Sequence, residues 1–224
     1  MMTSPTPGLV AQMSGKPTCK RYRHAAIYVD QATSLGFVWL QKSVDIGDTM
    51  EGKIAFERFC QEHRITIQHY HADNGIYTSN AWRQSCLQQG QGLTFAGVAA
   101  HHQNGIAERR IRELQEMACT MLIHVHHRWP DAITPNLWPY ALRMANDAIN
   151  VTPNLKFKDA RTPIESFTGT KVASNPKHWH SFGCPAYVLV QDLQSDTAIH
   201  HKWKLRLRVG MYLGRLPQHA WDVS

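Results

Sequence analysis

Apolar and polar positions recur with clear periods along most of the chain. His24–Asp30 (HAAIYVD) and Gly36–Leu40 (GFVWL) are β-branched and aromatic, which predicts two strands joined as a hairpin. Phe56, Phe59 and Cys60 fall at i, i+3 and i+4, so residues 49–63 are expected to be helical, with Asp48 and Glu51 as a capping box. Ile65 and Ile67 alternate with polar residues and lead a strand into HADNG, where Asn74 and Gly75 end it. A short helix near 80–88 and a strand at 93–96 follow. From Ile106 to His127 the residues Ile111, Leu114, Ala118, Met121, Leu122 and Val125 make one apolar stripe of a long helix. Trp138, Ala141, Leu142, Ala145 and Ile149 make a second, with Pro139 in the first turn. Thr162 and Pro163 open a short helix that Gly169 stops. Beyond residue 180 the character changes to strands, CPAYVLV and then KWKLRLRVGMYLG.

This order predicts an α/β core followed by a small all-β module. Residues 1–20, rich in Pro, Gly, Ser and Thr, read as an irregular lead-in. There is no internal repeat and no low-complexity tract.

Composition narrows the classes. Hydrophobic residues make up 43% and charged residues 18%, enough for a core and too orderly for wholesale disorder. The net charge of +7 favours a polyanion, nucleic acid before an anionic membrane. Cysteines 19, 60, 86, 119 and 184 are odd in number and none are in CxxC spacing, which suits a reducing compartment. No apolar run approaches the roughly 20 residues that span a bilayer, and the start lacks a secretory h-region.

Two carboxylates stand out. Asp73 ends a predicted strand and Glu108 lies in the first turn of the long helix. Ligand sites in α/β sheets gather at the carboxyl ends of strands. Converging carboxylates suit Mg²⁺ or Mn²⁺, and two such ions about 4 Å apart clamp the attacking and leaving oxygens of a phosphodiester displacement. By spacing alone, a turn role for Asp73 and a helix-dipole role for Glu108 are the more ordinary reading.

The surrounding motifs are more specific. HADNGIYTSN followed by HHQNGIAERRIRELQEMA resembles the integrase core of copia-type retrotransposons. Asp73, Asn74 and Gly75 match that family's DNGxxY/F stretch, and Gln103, Asn104, Gly105, Ala107, Glu108 and Arg109 match its QNGxAER run. RTPIESFTGTK resembles the family's TPxExxxGxK, and HSFGCPAYV resembles its FGCxAYV strand, so the resemblance spans about residues 20–214. It implies a ribonuclease-H-like core at 21–172 and a partial Src-homology-3-like barrel at 178–224. It further implies DNA 3′-end processing and strand transfer, with Asp73 and Glu108 holding Mg²⁺ or Mn²⁺, two ions in all. The partners it implies are element ends and target DNA, in a homo-oligomer without a membrane. It implies a nuclear site of action, with a virus-like particle in the cytoplasm.

The family uses a third carboxylate on its first strand. Asp30 is the third candidate, yet the strand count argues against it. A ribonuclease-H-like sheet has three antiparallel strands before its first helix, and only two are visible here. HAAIYVD matches the second, where a non-catalytic Asp sits, and no Asp occurs in residues 1–29. The first strand is therefore expected to be missing, with Asp30 a turn cap. On this count the alternative function is an inactive DNA-binding remnant. A ribonuclease is disfavoured by QNGxAER and the β-rich tail.

For DNA contact, Glu108, Arg112 and Gln115 share one helical face, flanked by Arg109 and Arg110. A solvated face with Glu108–Arg112 pairing is the plain alternative. Lys202, Lys204, Arg206 and Arg208 alternate with Trp203, Leu205, Leu207 and Val209, which puts the cations on one strand face. Of 14 histidines, His69 and His71 flank one strand residue, and His124, His126 and His127 cluster near a helix end, where they suit the terminal carbonyls. No HxxxH…CxxC zinc pattern occurs.

Overall fold

The computed structural model describes residues 1–10, 21–97, 105–154, 159–171, 179–189 and 206–215. Three antiparallel strands come first: β1 (Met2–Leu9), β2 (Arg21–Val29) and β3 (Gly36–Gln41), in the order β1-β2-β3. Helix α1 (Ile46–Glu62) follows, then β4 (His69–Ala72), α2 (Asn80–Gln88) and β5 (Gly92–Phe95). β5 runs parallel to β4 as its own two-stranded ladder. The long helix α3 (Gly105–Arg128) and α4 (Trp138–Val151) come next, then the short α5 (Pro163–Thr168). Strands β6 (Pro185–Leu189) and β7 (Leu207–Met211) pair antiparallel. The mixed α/β class is the one the periodicity predicts.

β1 is the main correction. Neither an irregular lead-in nor a missing first strand describes residues 2–9. The register explains why composition misleads. Met2 and Thr3 pair with Ala25 and His24, then Gly8 and Leu9 pair with Tyr22 and Arg21, so Ser4–Pro7 bulge out of the ladder. Pro5 and Pro7 have no N–H to give and are tolerated only in such an irregularity or at an edge. The bulge is held from within and from outside the strand: the Ser4 hydroxyl accepts from Thr6 N, Arg23 Nη1 donates to the Pro5 carbonyl at 3.3 Å, and Trp138 Nε1 donates to the Thr6 carbonyl at 2.9 Å.

The antiparallel sheet separates two cores. Successive residues of β2 point to opposite faces. Ala25 joins Leu40, Leu114, Ala118, Trp138, Ala141 and Leu142 on the α3–α4 side. Ala26 and Tyr28 join Phe56, Cys60, Tyr70, Trp82 and Phe167 on the α1 side. Burying side chains of this size contributes about 1.5–3 kcal/mol each.

Local chemistry sets the helix ends. The α1 cap differs from the expected capping box: Asp45, not Asp48, is the N-cap and accepts from Asp48 N at 2.7 Å. Asp48 turns back instead, accepting from Lys42 N and Ser43 N. α5 has the complete capping box of Thr162 and Glu165, and Gly169 ends it at φ 69°. Described residues of the tail pack against the core. Phe182 is buried among the α3–α4 residues, and Met211, Tyr212 and Leu213 pack against them. Among the described residues no helix is long and apolar enough to cross a membrane.

Candidate functional site

Asp73 follows β4 directly and is held from both sides through one residue. Ala72 O accepts from Ala96 N at 2.9 Å. Asn74 Nδ2 donates to Ala96 O at 2.6 Å. Both backbone groups of buried Ala96 thus lock the residues flanking Asp73. Beyond it a 3-10 turn over Ile76–Thr78 buries Tyr77 edge-on to Trp82 at 5.0 Å. This gives physical roles to the DNGxxY stretch: Asn74 ties the strand ends, and Tyr77 plugs the turn into the second core. Burial pushes the Tyr77 phenol up, and the Asp73 charge pushes the same way. Asp73 itself is half-buried. Among the described residues, the one hydrogen bond to its carboxylate is a long 3.4 Å contact from Gly75 N.

Glu108 stands exposed in the first turn of α3, where the helix dipole favours an acid. Arg109, Arg112 and Gln115 are exposed on the same helix. Arg110 departs from the expected DNA-flanking role. It is buried, donates from Nη2 to the Ser34 carbonyl at 2.8 Å, and pairs through Nε with Glu113 at 3.4 Å. The signal was available in the sequence, since 110, 114 and 118 are spaced by four and continue the apolar stripe.

Asp30 is spent on the β2–β3 turn. Its Oδ2 accepts from Thr33 N at 2.7 Å and from Thr33 Oγ1 at 2.6 Å, while its backbone bonds Leu35 and Ser34. β1 contains no carboxylate. Asp73 and Glu108 supply the oxygen donors that hard cations prefer, but among the described residues no group of three or more His, Cys, Asp or Glu is gathered to hold a metal. Gln103, Asn104, Lys202 and Lys204 lie outside the described residues. Arg208 is exposed in β7, opposite Val188, and Arg206 is exposed just before it. The other face of β7 is open too: Leu207 is 49% exposed and Val209 71%. The four described cysteines, 60, 86, 119 and 184, are free. Burial, with the charges of Asp30 and Glu57, pushes the Cys60 thiol up to about 12, so it is inert as a nucleophile.

Under the second core lies a polar group that periodicity did not reveal. Glu57 Oε1 accepts from Lys53 Nζ at 2.6 Å, Gln91 Nε2 at 2.7 Å and the Tyr70 hydroxyl at 3.2 Å. It ties α1 to the start of β5 and the middle of β4, three residues before Asp73. Lys53 is fully buried and also lies over the rings of Tyr70 and Trp82.

No protein-family model matches the chain. The chain is 28% identical over 202 residues to the retrovirus-related Pol polyprotein from transposon RE1 of Arabidopsis thaliana, which covers 89% of the chain and 13% of that polyprotein. The chain is thus similar to a stretch of a retrotransposon Pol polyprotein. Transposon RE1 is copia-type, the type its DNG and QNGIAER motifs resemble. The chain spans a small part of the polyprotein it matches. Among solved structures, the HTLV-2 integrase catalytic core domain in complex with magnesium (trimeric form) superimposes with TM-score 0.46 at 17% identity, over 67% of this chain and 87% of that one. The simian T-cell lymphotropic virus intasome in complex with PP2A regulatory subunit B56 gamma gives TM-score 0.49 at 17% identity, over 75% and 56%.

Proposed function

We propose that the chain is the integrase part of a retrotransposon Pol polyprotein, with core 21–172 extended by β1 and a partial barrel at 178–224. Its reaction is metal-dependent 3′-end processing and strand transfer on DNA. The observation that carries this reading is the placement of Asp73, bracketed by two residues bonded to Ala96 inside a DNGxxY motif. Asp73 and Glu108 would hold Mg²⁺ or Mn²⁺, which supplies activation of water or a 3′-hydroxyl and stabilises the departing oxygen. The chain's own residues position the DNA. Arg109, Arg112 and Gln115 on α3 and Arg206 and Arg208 by β7 present cations and an amide to phosphates. Neutralising phosphates releases counterions and makes binding salt-dependent. A homo-oligomer acting in the nucleus belongs to the same proposal.

A second reading is favoured by one observation: Asp30 is engaged by Thr33 and β1 has no carboxylate, so among the described residues Asp73 and Glu108 are the two acids matched to the family's three. This is a DNA-binding remnant without activity. A nicking and strand-transfer assay with Mg²⁺ or Mn²⁺ separates the two. Activity lost in Asp73→Ala and retained in Asp30→Ala supports the integrase reading. No activity above the Asp73→Ala background, in a folded protein that binds DNA, supports the remnant.

A further inference from the structure

The β4–β5 pair carries a second constellation on its exposed face. His69 and His71 are two apart on β4, so the pleat sets both on one side, and Tyr70 between them is buried on the other. Opposite them stand Gly92 and Thr94 of β5. His69 Nε2 lies 2.8 Å from Thr94 Oγ1, and His71 Nδ1 lies 2.9 Å from the same oxygen. His71 reaches straight across the ladder. His69 reaches diagonally, with its ring over Gly92. A Cβ at position 92 would come within 2.4 Å of His69 Nδ1, so the bare glycine is what lets that ring lie along the sheet. Two imidazole nitrogens therefore converge on one hydroxyl. A hydroxyl has one hydrogen, so it donates to one ring and accepts from the other's N–H.

We propose that His69, His71 and Thr94 form a binding site for a borderline divalent transition ion, Zn²⁺, Ni²⁺ or Cu²⁺. Neutral imidazole suits these ions, whereas Mg²⁺ prefers oxygen ligands and does not compete for this pair. An ion about 2.0–2.1 Å from each nitrogen takes over the bridging role of the hydroxyl proton. The Thr94 oxygen and water fill the remaining positions. The rings are already held together by Thr94, so little side-chain freedom is lost on binding. Two protein nitrogens make an open, exchangeable site, unlike the closed four-ligand sites of structural zinc. The three proposed ligands do not include Asp73 or Glu108, and the proposal does not depend on the chain being an integrase.

The test is a Zn²⁺ titration of the full chain in excess Mg²⁺, followed by NMR of the histidine side-chain nitrogens. The His69 and His71 signals are expected to move together, before those of His124, His126 and His127. His69→Gln and His71→Gln keep an amide against Thr94 and so preserve folding, and each is expected to weaken this first binding step at least about 10-fold, the lower bound even for second-shell changes. Asp73→Ala is expected to bind Zn²⁺ unchanged. First-equivalent binding that survives in the double Gln variant, or that is lost in Asp73→Ala, overturns the proposal, as does movement of the His69 and His71 signals only after the other histidines have titrated.

Discussion

Arg110 of α3 donates from Nη2 to the backbone carbonyl of Ser34, 76 residues earlier, at 2.8 Å. Ser34 sits at φ 61°, in the turn whose start Asp30 caps. The contact fastens the helix that bears Glu108 to the β2–β3 turn. Next to it, Gly36 O accepts from Asn146 and Asn150 of α4. Arg110→Ala is expected to destabilise the protein by about 1.5–3 kcal/mol, because a charge-assisted bond from a buried guanidinium to the carbonyl of half-buried Ser34 is lost. Arg110→Lys should restore little, since one ammonium cannot replace the fork. Arg109→Ala and Arg112→Ala should leave stability within about 0.5 kcal/mol and each lower the salt slope of DNA binding by about 1. Urea unfolding and binding at several salt concentrations check both halves.

The Glu57 hub makes a prediction about pairs. Glu57→Leu strands Lys53, which is fully buried, and is expected to cost about 3–5 kcal/mol. Adding Lys53→Met should recover the part of that loss due to the stranded charge, while the lost Tyr70 and Gln91 bonds to Glu57 remain. A double-mutant cycle by denaturant unfolding decides it. Additive losses would mean that the two side chains act independently.

Asp147 offers a pH test. Burial raises its carboxyl to about 6, against the opposing pull of Arg215 and Arg143. The folded state therefore holds a proton that the unfolded chain has released between the ordinary carboxylate range and about pH 6. Stability from this group is greatest in acid, declines through that window as pH rises, and is flat above it. The full shift corresponds to at most about 3 kcal/mol. Asp147→Asn should flatten the decline and raise the melting temperature at pH 7. A variant whose pH profile matches the parent would refute the assignment.

Gly183 tests how the tail docks. It lies at φ 74°, and a Cβ there would stand 2.2 Å from Val125 Cγ1 of α3. Gly183→Ala is expected to cost at least about 2 kcal/mol, from backbone strain and overpacking together. Val125→Ala in the same chain should recover the packing part and not the strain. Thermal melts of the single and double variants separate the two contributions.

Much of the molecule was legible without coordinates. The apolar stripes of α3 and α4, the Thr162–Pro163 start and the Gly169 stop are local patterns, set by 3.6-residue periodicity and by hydrogen bonds within one turn. Asp73 at a strand tip was legible for the same reason, as was the motif that carries the family resemblance. Other features needed the chain to meet itself. A strand with prolines at 5 and 7 exists because β2 and Trp138 hold its bulge. The fate of Asp30, the burial of Arg110 and the hub at Glu57 depend on partners on other elements or across a turn. The convergence of His69 and His71 depends on Thr94 and on a glycine opposite, 23 residues further on. Periodicity tells which face of an element is apolar. Which polar groups end up facing one another is decided by strand register and helix packing, because a buried polar group is costly unless the fold places a partner within reach.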